Sequence, residues 1–505
     1  MRRLIGWLTL AAICAAVVGV ALRYGSYVAG GSDSYCYVHQ AERWASGRLL
    51  EPDPLALDAP WPGAPLSFAP AGHVPSATVR GAIVPICPPG LSMLMAPALA
   101  LGGRTAMFAV VPVCGLLLVI ATWLLGTRLD DRVALAAAAV TAASPVVLYQ
   151  VIQPMSDVPA AAFWVLALAL ATRSHPAAIA AGVCGGAAIL IRPNLVPLGL
   201  VVGAYLLLRP GAPWAERLRD GARYAIGCAA GCVAVAAVQQ HFYGSPLTSG
   251  YGAASDLFSI DRVGPNASRY ASWLFETHGP LLAFAAVAPF VLARPLAAVG
   301  LAFVLVNLGL YLPYLTFDDW SYVRFLLPSI PVLAVLGMGS LSRIAARAGR
   351  RAVPMALTVA ALALMALGAR EARARSAFRL AELESVFPRT GRVAGARLPQ
   401  NALVVTSRFS GSVRFYGARP TLVWDALDPA WLDRAMVFAR AKGLEPYLLL
   451  DSAEEAAFRA RFAASEWSRL DWPPQIEIAP QVRLYQPAAR ARYLAGESIA
   501  TEYVR

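Results

Sequence analysis

Two runs decide the class of this chain: Trp7-Leu-Thr-Leu-Ala-Ala-Ile-Cys-Ala-Ala-Val-Val-Gly-Val-Ala-Leu22 and Val133-Ala-Leu-Ala-Ala-Ala-Ala-Val-Thr-Ala-Ala-Ser-Pro-Val-Val-Leu148. Neither carries a charge, and neither alternates apolar with polar residues as a half-buried strand would. Such blocks recur through a chain of 505 residues, 58% of them hydrophobic and 14% charged, with a mean hydropathy of +0.56. Soluble domains carry about a quarter charged residues. Most of this chain therefore cannot face water, and its apolar content also excludes disorder. The pattern is that of a polytopic helical membrane protein.

The net charge of +13, from 43 Lys+Arg against 30 Asp+Glu, does not point to nucleic acid. Lys442 is the only lysine, and the arginines gather in short clusters between apolar blocks, as at Arg2-Arg3, Arg217-Leu-Arg219 and Arg343 to Arg351. Clusters of that kind mark cytoplasmic loops and set orientation. Arg2 and Arg3 leave the N-terminus cytoplasmic, and with no clear small-x-small site and Arg23-Tyr24 as an interfacial anchor the first span, about Leu4–Leu22, is expected to stay uncleaved.

A polar stretch from Gly25 to about Pro88 then lies outside. Pro89 to Leu101, stopped by Gly102-Gly103-Arg104, is short enough to be interfacial or re-entrant. Further spans fall near 105–126, 133–151, 158–172, 177–191, 194–208, 222–239, 279–293, 296–314, 322–340 and 353–368, about eleven in all. The expected fold is mainly α: a transmembrane bundle over 1–368, with outer loops 25–88 and 240–278. A small extracytoplasmic α/β domain follows over 369–505. In it Ala402–Thr406 and Tyr447–Leu450 read as strands, and Asp451-Ser-Ala-Glu-Glu455 as a capped helix start. There is no internal repeat, which weighs against an inverted-repeat transporter.

Five of the seven cysteines lie in spans. Cys36 and Cys87 share the first outer loop, where a disulfide and two free thiols are both open readings. No CxxC, HExxH, P-loop or GxGxxG occurs. What remains are ionisable groups at the outer ends of spans, where burial is costly and function is the default reading. Asp33 stands at the start of a helix that Gly47 closes. It could cap that helix, or serve as a general base kept ionised by the helix dipole.

The segment Asp33-Ser-Tyr35-Cys-Tyr-Val-His-Gln-Ala41-Glu-Arg-Trp-Ala-Ser-Gly47-Arg-Leu resembles the first outer loop of GT-C glycosyltransferases. The similarity is to the branch of protein O-mannosyltransferases, lipid A aminoarabinose transferases and family-39-like enzymes. Four more segments match in order: Cys87-Pro-Pro-Gly-Leu91, Ser156-Asp157-Val-Pro159, Gly185-Gly-Ala-Ala-Ile-Leu-Ile-Arg192-Pro and Arg324-Phe-Leu-Leu-Pro328. Together they cover roughly residues 1 to 340.

The resemblance implies an inverting sugar transfer from a polyprenyl-phosphate donor to a glycan, lipid or protein hydroxyl, with Asp33 catalytic. The setting it implies is the outer face of a bacterial inner membrane. A leaving lipid phosphate calls for cations rather than an acid, and Arg192 and Arg324 at outer span ends supply bidentate forks. Both could instead merely snorkel to the headgroups. Asp157 could orient a donor hydroxyl, assist a divalent metal, pair with an arginine or cap its helix. No cofactor is otherwise implied.

Cys87 stands where many members carry Lys or His, and Ser34 where the mannosyltransferases carry a second acid. His73 could compensate as a donor contact, although a lone loop histidine is more often solvated. Phe242–Tyr251 opens an outer loop of aromatic and hydroxyl groups, in which turn chemistry suffices. Asp318-Asp319 could cap a span or pair with Arg324, and the Asn266-Ala-Ser268 sequon is given no role. The competing readings are a transporter or flippase of a lipid-linked glycan, in which Asp33 would be dispensable for bond making, and a membrane assembly protein acting through residues 370–505.

Overall fold

The computed structural model describes residues 2–479 and 481–504, the side chains of Arg2 and Arg3 aside. Two compact units emerge. One comprises Met1–Tyr27, Pro88–Gln239 and Tyr251–Ala381; the other comprises Val28–Cys87, Gln240–Gly250 and Glu382–Arg505.

The first unit is helical. Six helices among the described residues are long and apolar enough to cross a membrane: Leu4–Tyr24, Pro89–Gly126, Trp214–Tyr243, Arg294–Tyr311, Ser329–Ala346 and Ala352–Ala374. Shorter apolar helices cover Asp157–Ala171, Ala178–Ile191 and Pro193–Leu208. The remaining expected spans are broken, each at a proline. Ser144-Pro145 splits 133–151 into Asp131–Ala142 and Pro145–Gln150. The 279–293 segment holds only Pro280–Ala286 and Ala288–Val291, and the 322–340 segment opens as the 3-10 turn Trp320–Leu326 before Pro328. Proline lacks the N–H that a continuous helix needs and crowds the preceding turn.

Pro89–Gly126 bends where the sequence placed a stop. Gly103 sits at φ 67°, ψ −166°, which a residue with a Cβ avoids, so the short segment 89–101 is set at an angle to the rest.

The Asp157–Ala171 helix is the hub. Trp164, Val165 and Leu168 are fully buried there, against Pro89–Gly126 on one side and Ala178–Ile191 on the other. Beyond it, Ala178–Ile191 and Trp214–Tyr243 cross backbone to backbone. A Cβ on Gly231 would lie 2.1 Å from the Gly186 carbonyl oxygen, and one on Gly182 would lie 2.2 Å from that of Tyr224. Gly182-x-x-x-Gly186 facing Gly227-x-x-x-Gly231 is the small-residue seam by which helices associate in lipid, where no hydrophobic force drives them together.

The second unit mixes strands and helices. Strands β1 (Glu51–Pro52), β2 (His73–Pro75) and β3 (Ala82–Pro85) make an antiparallel sheet in the order β1-β3-β2. Strands β4 (Ala402–Val405), β5 (Thr421–Leu422), β6 (Glu445–Asp451), β7 (Ile476–Ile478), β8 (Val482–Tyr485) and β9 (Glu502–Val504) form a sheet ordered β5-β4-β6-β8-β7-β9. Its β5-β4-β6 part is parallel, while β6-β8 and β8-β7 are antiparallel. Strands β4, β5, β6 and β8 are short, largely buried and rich in β-branched and leucyl residues, as covered strands are, while β9 at the edge is exposed. Asp451 closes the expected capping box, accepting from Ala453 N and Glu454 N.

The first loop does not stand apart from the tail. Trp61 and Phe68 pack into one core with Leu403, Trp424, Phe458 and Leu450. Apolar side chains more than 330 residues apart in sequence thus share one burial.

Candidate functional site

In the helical unit, Asp157 is the first residue of its helix and is 1% exposed. Arg192 ends the Ala178–Ile191 helix: Pro193 forces it out of helical backbone, to φ −144° and ψ 88°. Arg192 Nη1 donates to Asp157 Oδ1 at 2.5 Å. The other oxygen, Asp157 Oδ2, is buried with no hydrogen-bond partner among the described residues. Such a pair is costly to desolvate and costly to break.

The Arg192 guanidinium also lies 5.3 Å from the centre of the Phe325 ring. Arg324 shares that ring at 5.4 Å and lies 5.1 Å from Tyr322. Phe325 stacks on Tyr311 at 4.7 Å, whose hydroxyl accepts from Asn194 Nδ2 at 2.7 Å. Two guanidiniums thus approach one aromatic ring, and one of them is paired with a carboxylate.

Three of the residues picked from sequence, Asp157, Arg192 and Arg324, therefore meet. Asp318 does not pair with Arg324; it pairs with Arg269, while Asp319 caps its own 3-10 turn through Ser321 N. Asn266 of the sequon is buried and donates to the carbonyls of Leu312 (2.9 Å) and Tyr314 (2.7 Å), which is a structural post.

In the mixed unit, Asp33 is half-buried at the first position of the helix Asp33–Ser46, which Gly47 ends at φ 67°. Ser32 precedes it without capping, so Asp33 is a first-turn acid facing the helix dipole rather than the cap itself. The turn before it is gripped by the tail. Ala29 N donates to the Tyr416 hydroxyl at 2.8 Å, and a Cβ on Gly30 would meet Phe387 at 2.6 Å and Glu384 Oε2 at 2.7 Å. Gly72, at φ +81°, presses on the Ser32 carbonyl from the other side. Three residues after Asp33, Cys36 is disulfide-bonded to Cys87.

His73 is not solvated. It is 5% exposed, with Nε2 at 3.0 Å from His39 Nδ1; His39 Nε2 in turn lies 3.0 Å from Glu51 Oε2. Tyr35 lies against both imidazoles. Burial, and then the charge of His39, push His73 down to about 3, so it is neutral near pH 7. Burial alone would raise Glu51, but the hydrogen bond and charge of His39, with Arg414 behind it, hold it at about 2. Arg414 reaches Glu51 at 3.6 Å, Asp53 Oδ2 at 2.7 Å and the Phe68 carbonyl at 2.5 Å, strapping the first loop to the tail.

Sequence reasoning overlooked His39, Glu51 and Arg414. The one available signal was His39, two turns along the helix that Asp33 opens. Among the described residues no three His, Cys, Asp or Glu side chains gather in an arrangement that would hold a metal ion.

Residues 87–239 match the family described as dolichyl-phosphate-mannose-protein mannosyltransferase. No curated protein matches the sequence. The fold is similar to that of ArnT from Cupriavidus metallidurans, at 14% identity and a TM-score of 0.58 over 91% of this chain and 95% of that one. It is similar also to the Archaeoglobus fulgidus oligosaccharyltransferase, at 15% identity and 0.59 over 95% and 73%. A third likeness is to the mycobacterial arabinofuranosyltransferase AftD, at 15% and 0.53 over 94% and 39%. The matched segment covers less than a third of the chain, and what the whole chain shares with these three membrane glycosyltransferases is their fold.

Proposed function

We propose that this chain moves a sugar from a polyprenyl-phosphate donor to an extracytoplasmic acceptor hydroxyl, inverting the anomeric carbon. The observation that carries this reading is that Arg192 and Arg324 both approach the ring of Phe325, with Asp157 paired to Arg192. Two fixed guanidiniums are what a departing phosphate needs, since its charge develops on oxygens they can pair. The solved ArnT with undecaprenyl phosphate bound supports a lipid phosphate as the ligand.

In this scheme the acceptor oxygen attacks the anomeric carbon while Asp33 takes its proton. The anomeric carbon–oxygen bond breaks, and its electron pair leaves on the lipid phosphate. Asp33 offers the carboxylate for the base role from the first turn of its helix. Asp157 acts through Arg192 as a positioning residue. The N-terminus would be cytoplasmic, with the mixed unit outside.

The test is sugar transfer by purified protein in lipid, wild type beside Asp33→Asn, over a panel of polyprenyl-phosphate sugars. Loss of a general base should cost about two orders of magnitude or more while donor binding persists. Equal transfer by both proteins would remove Asp33 from the chemistry. Donor binding that carries lipid across the bilayer with no transfer would favour a flippase instead.

A further inference from the structure

The helices Val196–Leu208 and Arg294–Tyr311 leave an apolar groove of about 660 Å³ between them. Leu200, Ala204 and Leu208 form one wall, and Ala298 and Ala302 form the other. The lining runs from Pro197 to Arg209, which is about 18 Å at 1.5 Å per residue. That is close to one leaflet of hydrocarbon, about 15 Å.

The two helices run in opposite directions, so the groove is polar at one end only. Arg209 closes one helix there and Arg294 opens the other. Arg209 is 92% buried. Its Nη2 is used by Asp220 at 2.8 Å and Glu216 at 3.1 Å, yet its Nη1 is buried with no hydrogen-bond partner among the described residues. Arg294 is exposed in the first turn of an 18-residue helix, where free N–H groups and the dipole add to its charge. No acidic residue lines the groove.

We infer that this groove holds an anionic glycerophospholipid, acyl chains along the helices and phosphate between Arg209 and Arg294. The charge complementarity selects it. A zwitterionic lipid would bring its own cation to Arg294, whose guanidinium, unlike that of Arg209, is not held by Asp220 and Glu216, and a long polyprenyl chain would overrun a single-leaflet slot. By the arginine bias of the loops, the headgroup lies in the cytoplasmic leaflet. The site is independent of the sugar-transfer reading.

The test uses the full-length protein in phosphatidylcholine nanodiscs doped with phosphatidylglycerol carrying a diazirine on one acyl chain, or with the matching phosphatidylcholine probe. Adducts are mapped by peptide mass spectrometry. The phosphatidylglycerol probe should label 197–208 and 298–306 at least about fivefold over its counterpart, and Arg294→Gln should cut that labelling by about the same factor. Ala302→Trp, filling the slot, should abolish it; if that variant fails to fold, Arg294→Gln decides alone. Equal labelling by both probes, adducts elsewhere, displacement by an equimolar polyprenyl phosphate, or a cross-link between two copies through this face would each overturn the proposal.

Discussion

The Asp157–Arg192 pair allows structural support and ligand binding to be separated in one double-mutant cycle. Removing Arg192 as Gln strands a carboxylate that is 1% exposed, and breaking a buried pair from one side costs about 3–5 kcal/mol. Losing the contact with Phe325 adds about 1 kcal/mol. Asp157→Asn leaves a guanidinium that is 14% exposed and still has an aromatic face, so its cost should be smaller, about 2–3 kcal/mol. The double variant removes both charges and should recover most of the loss, leaving a coupling of about 2 kcal/mol or more. Thermal unfolding in detergent reads this arm.

Donor binding should behave differently. A charged hydrogen bond to phosphate is worth about 1.5–3 kcal/mol, so Arg192→Gln and the double variant should both bind a short polyprenyl phosphate some 10- to 150-fold more weakly. Asp157→Asn, with its guanidinium released, should bind at least as well as wild type. A stable double variant with wild-type affinity would refute the reasoning, because Arg192 would then serve Asp157 alone.

Replacing Cys36 and Cys87 with Ser opens a loop with a sequence separation of 51, worth about 4 kcal/mol by chain entropy; limited proteolysis of 28–87 should accelerate, and an unchanged rate would contradict this. Acid should unfold the mixed unit. Glu51, ordinarily near 4.5 and here at about 2, contributes fully above pH 4.5 and loses its contribution as pH falls toward 2. His73, ordinarily near 6.5 and here at about 3, is paid for by neutrality, so stability is full above pH 6.5 and falls between 6.5 and 3. From pH 6.5 to 4.5 that is about 2–3 kcal/mol, and an unfolding midpoint flat across this range would count against the buried pair. Gly231→Ala puts a methyl 2.1 Å from a carbonyl oxygen and should cost about 1–3 kcal/mol; an unshifted melting temperature would mean the two helices are not in backbone contact.

Much of the helical unit was legible because a bilayer leaves so few options. A run such as Trp7–Leu22 must be a helix, since its backbone groups have no water to bond. The breaks were visible as prolines, yet composition reads straight through Ser144-Pro145 because both halves are apolar. Asp157, Arg192 and Arg324 stood out singly as charges at span ends. Their meeting did not, because Asp157 and Arg192 are 35 residues apart and nothing in local spacing joins them. His73 was misread as solvated because its burial comes from Tyr35 and His39 across the loop. Arg414 was invisible as a strap: its partner Asp53 is 361 residues earlier, and a single arginine in a polar tail carries no signal.

The mixed unit has a consequence of parity. A compact polar body built from Val28–Cys87, Gln240–Gly250 and Glu382–Arg505 cannot be assembled from both faces of a bilayer, so those three segments must emerge on one side. The chain therefore crosses an even number of times between the first and second, and again between the second and third. Six apolar segments lie in the first interval: 89–126, 131–150, 157–171, 178–191, 193–208 and 214–243. Four lie in the second: 280–291, 294–311, 329–346 and 352–374. With the single helix Arg2–Tyr24 ahead of them, an arrangement in which every segment crosses once would have an odd number of crossings. Because Cys36 and Cys87 belong to the same body, the redox state of that one pair in cells reports the sidedness of all three segments.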